Sequence, residues 1–241
     1  PNDNCYKEWN YSLFKQKIII PVLMEACMHE IYLKNDGIIP MYLNSLMYMD
    51  FTQNIDDDKI IEGKSYCENG FAGIYPCKGY DLLSRIPLEY FESVEGNDSW
   101  GWTDSFDGKE YALMGLDDGT AFVDISDPEV PLYLGKLPSA SVNSSWRDIK
   151  VYEDYAFIVS EAPGHGLQVF DLSKLRSVKT QQTFDSDLNF NEFGNAHNIA
   201  INKESGFAYV LGSKLFDGGP AFIDINSPLN PSIVGGYSFS S

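Results

Sequence analysis

A pattern of short strands that recurs three times constrains this chain more than any other feature of its sequence. Each copy has an apolar strand, a glycine-containing loop and a second strand that ends in Asp-Ile or Asp-Leu. The copies begin at Tyr111, Tyr155 and Phe207, and their closing aspartates are Asp124, Asp171 and Asp224. These aspartates are 47 and 53 residues apart, a period typical of propellers and other repeat proteins.

The segments on either side of the copies add further predicted strands, which brings a complete copy to four strands. A shorter strand precedes each copy, beginning at Trp100, Trp146 and His197. Two copies are followed by a proline-containing turn and a fourth run, LYLGKL or SIVGGY. This repeated order is typical of β-propeller blades, and the alternative, an ordinary β-sandwich, does not explain it. The sequence therefore predicts an all-β fold with about three four-stranded antiparallel blades, at residues 100–140, 145–187 and 195–241.

The part of the chain before residue 100 does not fit the repeat. Residues 1–66 are predicted to form an irregular or partly helical N-terminal extension of unknown role. In the lead-in segment 67–99, Cys67 and Cys77 bracket a short loop, which favours a disulfide over two buried free thiols, and with it an oxidising compartment. Propellers typically need about four to eight blades to close a ring. We therefore expect the remaining blades to be missing from this chain or supplied elsewhere.

The charge balance excludes two classes of partner. The chain has 17 basic and 35 acidic residues, which gives a net charge of −18. Such a surface repels nucleic acid phosphates and anionic membranes. The apolar run at residues 18–24 is too short to span a bilayer. We therefore expect no nucleic acid partner and no membrane span.

Several longer runs resemble a known family. AFVDISDPEVP resembles the LVIVD repeat of bacterial and archaeal surface propellers. NDSWGWTD, SSWRDIKVYEDYAFIVSEAPGHGLQVFDLSKLR and NAHNIAINKESGFAYVLGS resemble the choice-of-anchor B family, and CENGFAGIYPCKGYDLLSRIPL resembles the segment before its first blade. The resemblance covers roughly residues 67–240. It implies an extracellular or cell-surface β-propeller with further blades, and no established catalytic activity.

Strand direction predicts that the unusual polar residues gather at one end of the blades. Neighbouring strands of a blade are antiparallel, so the start of the first strand and the loop after the second strand lie on the same face. Convergent polar groups there are the expected place for a ligand site. The residues assigned to this face are Asp104, Trp146, Arg147, Asp148, Glu161, His165 and His197.

One hypothesis for this face is a metal site. The candidate metal ligands are His165, His197 and Asp104. Imidazole with carboxylate suits a transition metal, whereas carboxylates and carbonyls suit calcium, so the cofactor is unknown or a divalent metal of either kind. The structural alternative for His165 is a turn residue between two glycines, and for His197 a hydrogen bond that locks the entry of a strand.

The second hypothesis is a site for a small ligand or a larger partner. The candidate ligand-binding residues are Trp146, Arg147, Asp148 and Glu161. A guanidinium such as that of Arg147 can hold an anionic group through two parallel hydrogen bonds. Trp100, Trp102 and Trp146 could present an aromatic rim to a protein or glycan, or they could pack as wedges between blades.

Together these features predict a secreted or cell-surface binding module, with a protein or glycan as its partner. The alternative function is a metal-dependent hydrolase or lyase that uses the same rim. The sequence contains no GxSxG, HExxH or P-loop motif, and this favours binding over catalysis.

Overall fold

The computed structural model describes residues 63–238, and the described residues fall into two compact units, Gly63–Leu83 and residues 84–238. Residues 1–62 and 239–241 lie outside the described part, and with them most of the predicted N-terminal extension. Strands dominate the described part, so the prediction of an all-β fold is confirmed. Within it, no helix has the length and apolar character to cross a membrane.

The first unit is a small antiparallel sheet closed by a disulfide. Its strands are β1 (Cys67–Glu68), β2 (Phe71–Ala72) and β3 (Tyr75–Pro76), in the order β1-β2-β3. Asn69 and Gly70 connect β1 to β2, and both have positive φ, +54° and +86°, as the Asn-Gly pair of a tight hairpin turn requires. Cys67 and Cys77 are bonded, so the predicted disulfide is confirmed.

The second unit begins with a five-stranded sheet, which we call the first sheet. It contains β4 (Gly96–Thr103), β5 (Glu110–Leu116), β6 (Gly119–Asp124) and β7 (Leu132–Pro138), paired antiparallel in chain order. Its fifth strand comes from far along the chain, because residues 182–183 pair parallel to β7. The sequence instead predicts these two residues in the second blade, residues 145–187.

Two further sheets follow along the chain. The second sheet contains β8 (Arg147–Tyr152), β9 (Tyr155–Ser160) and β10 (Leu167–Asp171). The strand at residues 182–183 is β11, and β12 (Leu188–Phe190) completes the second sheet beside β10. The third sheet contains β13 (Asn198–Asn202), β14 (Phe207–Leu211), β15 (Ala221–Asp224) and β16 (Ser232–Gly236), paired antiparallel in chain order.

The three sheets of the second unit stack face to face around two hydrophobic cores. The first core lies between the first and second sheets, where the rings of Phe122 and Phe170 stack with centroids 4.7 Å apart. The second core lies between the second and third sheets and includes Phe157, Val169 and Val210. Strands β8, β9 and β10 of the second sheet are therefore buried on both faces, which explains why their sequences hardly alternate between apolar and polar residues.

The repeated aspartates end the third strand of each sheet and cap the turn that follows. Asp124 accepts a hydrogen bond from the backbone N–H of Ser126 at 3.0 Å. Asp171 accepts one from Ser173 at 2.9 Å, and Asp224 accepts one from Asn226 at 2.9 Å. These short contacts stabilise turns, so the repeat aspartates belong to the scaffold and not to a ligand site.

Candidate functional site

One end of the stacked sheets, which we call the rim, collects most of the predicted site residues. The rim consists of the starts of β4, β8 and β13 and the loops that follow β5, β9 and β14. Arg147 at the start of β8 pairs with Ser160 at the end of β9, and Asn198 at the start of β13 pairs with Leu211 at the end of β14. The antiparallel register thus brings Trp146, Asp148, Glu161, His165 and His197 to the same end, as the sequence predicts.

Asp104 does not lie at the rim, and its predicted position is wrong. It follows the last residue of β4, Thr103, which pairs with Glu110 at the start of β5, so it lies at the opposite end of the first sheet. There its buried carboxylate accepts two hydrogen bonds from Arg176, at 2.5 and 2.8 Å. The sequence prediction failed because it began the strand at Trp100, whereas β4 begins at Gly96.

Three rim side chains form an exposed group, which we call the rim cluster: Trp146, Glu161 and His197. The Nδ1 atom of His197 lies 2.5 Å from Oε1 of Glu161, and the rings of His197 and Trp146 have centroids 5.9 Å apart. Backbone contacts hold the group in place, because Glu161 N–H donates to the carbonyl of Trp146 and the Asn195 side chain donates to the carbonyl of Glu161. About half of each side chain faces solvent, so all three are available to a ligand.

The three predicted rim tryptophans have different surroundings. Trp102 is buried and stacks on Tyr111 with ring centroids 5.0 Å apart. Trp100 packs against the first core, with the ammonium of Lys150 4.5 Å from its ring centroid. Trp146 alone among the three is exposed, at 45%. Two tryptophans are therefore packing residues, and the third is a candidate contact residue.

His165 lies inside the rim and not on its surface. The side chain is 1% exposed, and both ring nitrogens are engaged. Nδ1 donates to the carbonyl of Gly166 at 3.0 Å, which leaves Nε2 to accept from the guanidinium of Arg147 at 2.8 Å. Gly164 and Gly166 have φ of +75° and +64°, so the glycines supply the turn that carries the buried histidine. A neutral imidazole held this way has no lone pair left for a metal.

The environment of His165 makes the stability of the protein depend on pH. Burial, and then the charge of Arg147, lower the pKa of His165 from 6.5 to about 4. Between these pH values His165 is protonated in the unfolded chain but stays neutral in the folded protein. We therefore expect the free energy of unfolding to fall as the pH drops from 6.5 to 4. The loss attributable to this group is on the order of 3 kcal/mol.

Urea denaturation at a series of pH values measures this effect, with His165→Gln as the matched variant. Glutamine keeps a neutral polar side chain in the loop but does not titrate. The difference between the two proteins isolates the contribution of His165 from those of the carboxylates. Parallel stability curves for the two proteins would contradict the assignment.

A second group at the rim links successive sheets, and sequence reasoning missed its pattern. Asp98 on β4 accepts a hydrogen bond from the backbone N–H of Ile149 on β8 at 2.9 Å. Asp148 on β8 accepts one from Ile199 on β13 at 2.7 Å. The equivalent position on β13 is Asn198, so the three residues are spaced 50 residues apart. This regular spacing could have identified the linking residues from the sequence, because it is more uniform than the spacing of the turn-capping aspartates.

The ammonium of Lys150 contacts the carboxyl groups of both Asp98 and Asp148 and forms its ion pair with Asp148. Burial raises the pKa of Asp98 to about 8, against the attraction of Lys150. Burial would also raise the pKa of Asp148, but its hydrogen bond with Asp98 and the charge of Lys150 outweigh burial and lower it. Asp148 is therefore a linking residue between sheets, although the sequence indicated a ligand-binding role.

The predicted metal ligands are not brought together. His165 is buried against Arg147, His197 contacts Glu161, and Asp104 lies at the other end of the first sheet. Within residues 63–238, no three histidine, cysteine, aspartate or glutamate side chains are grouped as a metal ion would require.

Comparisons with known proteins do not assign a function to the rim residues. No family model matches the chain, and no curated protein matches it at a significant level. The resemblance to the choice-of-anchor B family therefore stays a prediction, and functional inference depends on the rim itself.

Proposed function

We propose that this chain is part of an extracellular or cell-surface β-propeller that acts as a binding module, with the rim cluster as a carbohydrate-binding site. The observation that carries the proposal is the exposed indole of Trp146 beside the hydrogen-bonded pair Glu161–His197. An exposed indole offers an apolar face to the C–H face of a sugar ring. The neighbouring carboxylate and imidazole offer hydrogen-bonding atoms for sugar hydroxyl groups.

The stacking of the sheets supports the propeller assignment. The first strands β4, β8 and β13 lie beside one another, as the inner strands of successive blades would. The outer face of the third sheet carries Tyr209, Leu211 and Phe222, at positions whose counterparts in the second sheet are covered by the third. A further sheet of the same kind would cover these residues, as expected for a ring of blades. The confirmed disulfide is consistent with an oxidising compartment.

The rim cluster favours a sugar over a protein surface because of its size. One exposed tryptophan and two polar side chains match the few contacts of a sugar ring, whereas a stable protein interface buries about 1,200–2,000 Å² in total. The hydrolase or lyase alternative needs a metal at the rim, and His197 with Glu161 supplies only two protein ligands there.

Carbohydrate binding can be tested with a glycan array, followed by calorimetric titration of the best glycan. We expect Trp146→Ala to weaken binding at least tenfold, because a tryptophan at the centre of a contact often contributes about 2 kcal/mol or more. Glu161→Gln should weaken binding less, since the amide still forms hydrogen bonds.

The matched control is Phe106→Ala, which removes an exposed aromatic side chain beyond the far end of β4. This variant should bind the glycan as the parent protein does. An array without hits, or equal affinities for the parent protein and Trp146→Ala, would refute the proposal. Binding of a protein ligand at the same cluster, in the absence of glycan binding, would refute the carbohydrate proposal in favour of a protein partner.

A further inference from the structure

The seam between the first and second sheets ends at the rim in a layer of buried polar side chains. Thr120 and Gln168 lie two residues before Phe122 and Phe170 on their strands, so they face the same seam as the stacked rings. Arg147 and His165 are hydrogen-bonded to each other at the rim end of the same seam, where Arg147 of the second sheet donates to the carbonyl of Leu116 on the first. None of the four is more than 2% exposed. We call this group the polar layer.

The polar layer contains a cation whose hydrogen-bonding capacity is only partly used. Nε of Arg147 donates to the carbonyl of Leu116 at 2.9 Å, and Nη1 donates to His165. Nη2 is buried and has no hydrogen-bond partner among the described residues. A guanidinium at a buried position normally uses this outer edge for a carboxylate or another anion.

The nearby carboxylates do not fill that role. Asp117 and Asp118 attract the charge of Arg147 from a distance, but neither is hydrogen-bonded to it within residues 63–238. Asp118 is paired with Lys136 at 2.5 Å, and Asp117 accepts hydrogen bonds from the backbone of Val94 and Glu95. His165 is held as a neutral acceptor and cannot balance the charge. Among the residues that the structure describes, no carboxylate is therefore hydrogen-bonded to this guanidinium in the seam.

We propose that the polar layer binds a small monovalent anion of the chloride class at Nη2 of Arg147. The hydroxyl of Thr120 is a second buried group without a hydrogen-bond partner in the described residues. Thr120 pairs with Gly115, the neighbour of Leu116, whose carbonyl accepts from Arg147 Nε, so we take this hydroxyl as the second donor to the anion. Gln168 Oε1 is an acceptor and therefore cannot bind an anion. The ion therefore belongs on the side of the layer formed by Arg147 and Thr120.

The reason to assign an anion and not water is the charge. Removing one partner of a buried ion pair is strongly destabilising because an uncompensated charge remains in a poorly solvated place. A water molecule would accept a hydrogen bond from Nη2 but leave the charge of Arg147 unbalanced. A halide ion would accept the same hydrogen bond and also balance that charge. The site is independent of the proposed sugar-binding cluster, because it lies beneath the rim and uses none of the three cluster residues.

Bromide is the direct probe, because its anomalous scattering distinguishes it from water. Crystals of the full chain soaked in sodium bromide should show an anomalous peak within hydrogen-bonding reach of Arg147 Nη2. A peak confined to surface lysines, with only water or empty density at Nη2, would overturn the proposal.

Solution stability gives a second test that does not depend on crystals. At constant ionic strength, replacing sodium gluconate by sodium chloride should raise the melting temperature by about 2 °C or more, because the anion binds the folded state alone. Thr120→Val should reduce this chloride-specific shift, and Arg147→Met should abolish it. Lys109→Met is the control, since it removes a half-exposed cation that is paired with Asp124 at the opposite end of the first sheet, and it should keep the full shift.

If Arg147→Met does not fold, the parent protein and Thr120→Val still decide the question. Equal melting temperatures in chloride and gluconate would refute the site. An equal chloride shift in the parent protein and Arg147→Met would also refute it, because the effect would then come from elsewhere on the surface.

Discussion

Replacing Asp148 with alanine is expected to lower the free energy of unfolding by about 3–5 kcal/mol. The carboxylate accepts from the backbone N–H of Ile199 and from the side chain of Asn198, and it forms an ion pair with Lys150. Alanine would leave a buried backbone donor without an acceptor, and it would remove the carboxylate with which Lys150 forms its ion pair. The second and third sheets would thereby lose one of their hydrogen-bonded links at the rim, the one that is buried between Asp148 and Ile199.

Urea denaturation at neutral pH measures this loss, and Asp148→Asn is the informative comparison. Asparagine keeps an oxygen that can accept from Ile199 but loses the charge opposite Lys150. We expect an intermediate stability for this variant. A loss below about 1 kcal/mol for Asp148→Ala would mean that Asp148 contributes little to the link between the sheets.

Phe170→Ala is expected to destabilise the protein by about 3–5 kcal/mol, because it opens a cavity in the first core. The ring is fully buried, stacks on Phe122 and contacts the edge of Phe184 with centroids 5.2 Å apart. Phe184 directly follows β11, the strand that returns to the first sheet. The substitution should therefore also loosen the attachment of β11.

Hydrogen exchange resolved along the chain can separate these two effects. We expect faster exchange at residues 182–184 in Phe170→Ala, in addition to the overall loss of stability seen in denaturation. Phe170→Leu should cost far less, because leucine fills most of the same volume. Phe106→Ala, at a side chain that is 80% exposed, should change stability by no more than about 0.5 kcal/mol.

The strand pattern was predictable because it follows from local chemistry. Apolar runs separated by Gly, Asp and Pro turns mark strands whatever their neighbours are, and the three repeat copies correspond to the three stacked sheets. Residues 182–183 were not predictable in this way. Their pairing with β7 joins positions about 47 residues apart in the chain. A strand of two residues is too short for its hydrophobic pattern to indicate which strand it pairs with.

The candidate site was predictable in position but not in chemistry. Antiparallel pairing alone brings Glu161 and His197 to one end, and they do form a contact there. Burial could not be inferred from residue type, so His165 and Arg147 were expected to be available to a ligand but are enclosed in the seam. An error of a few residues in the start of β4 was enough to place Asp104 at the wrong end.

The sequence by itself determined the all-β character, the repeat, the turn-capping aspartates and the disulfide, because each depends on residues close together in the chain. Only the tertiary structure decided which polar side chains are exposed and which are buried between sheets. Trp146 and Arg147 are neighbours in sequence, yet one faces solvent and the other lies in the seam. The physical reason is that Trp146 precedes β8, whereas Arg147 begins it and meets the carbonyl of Leu116 on the first sheet. Residue type does not determine where a neighbouring sheet packs, so only the tertiary structure decides which of the two side chains is covered.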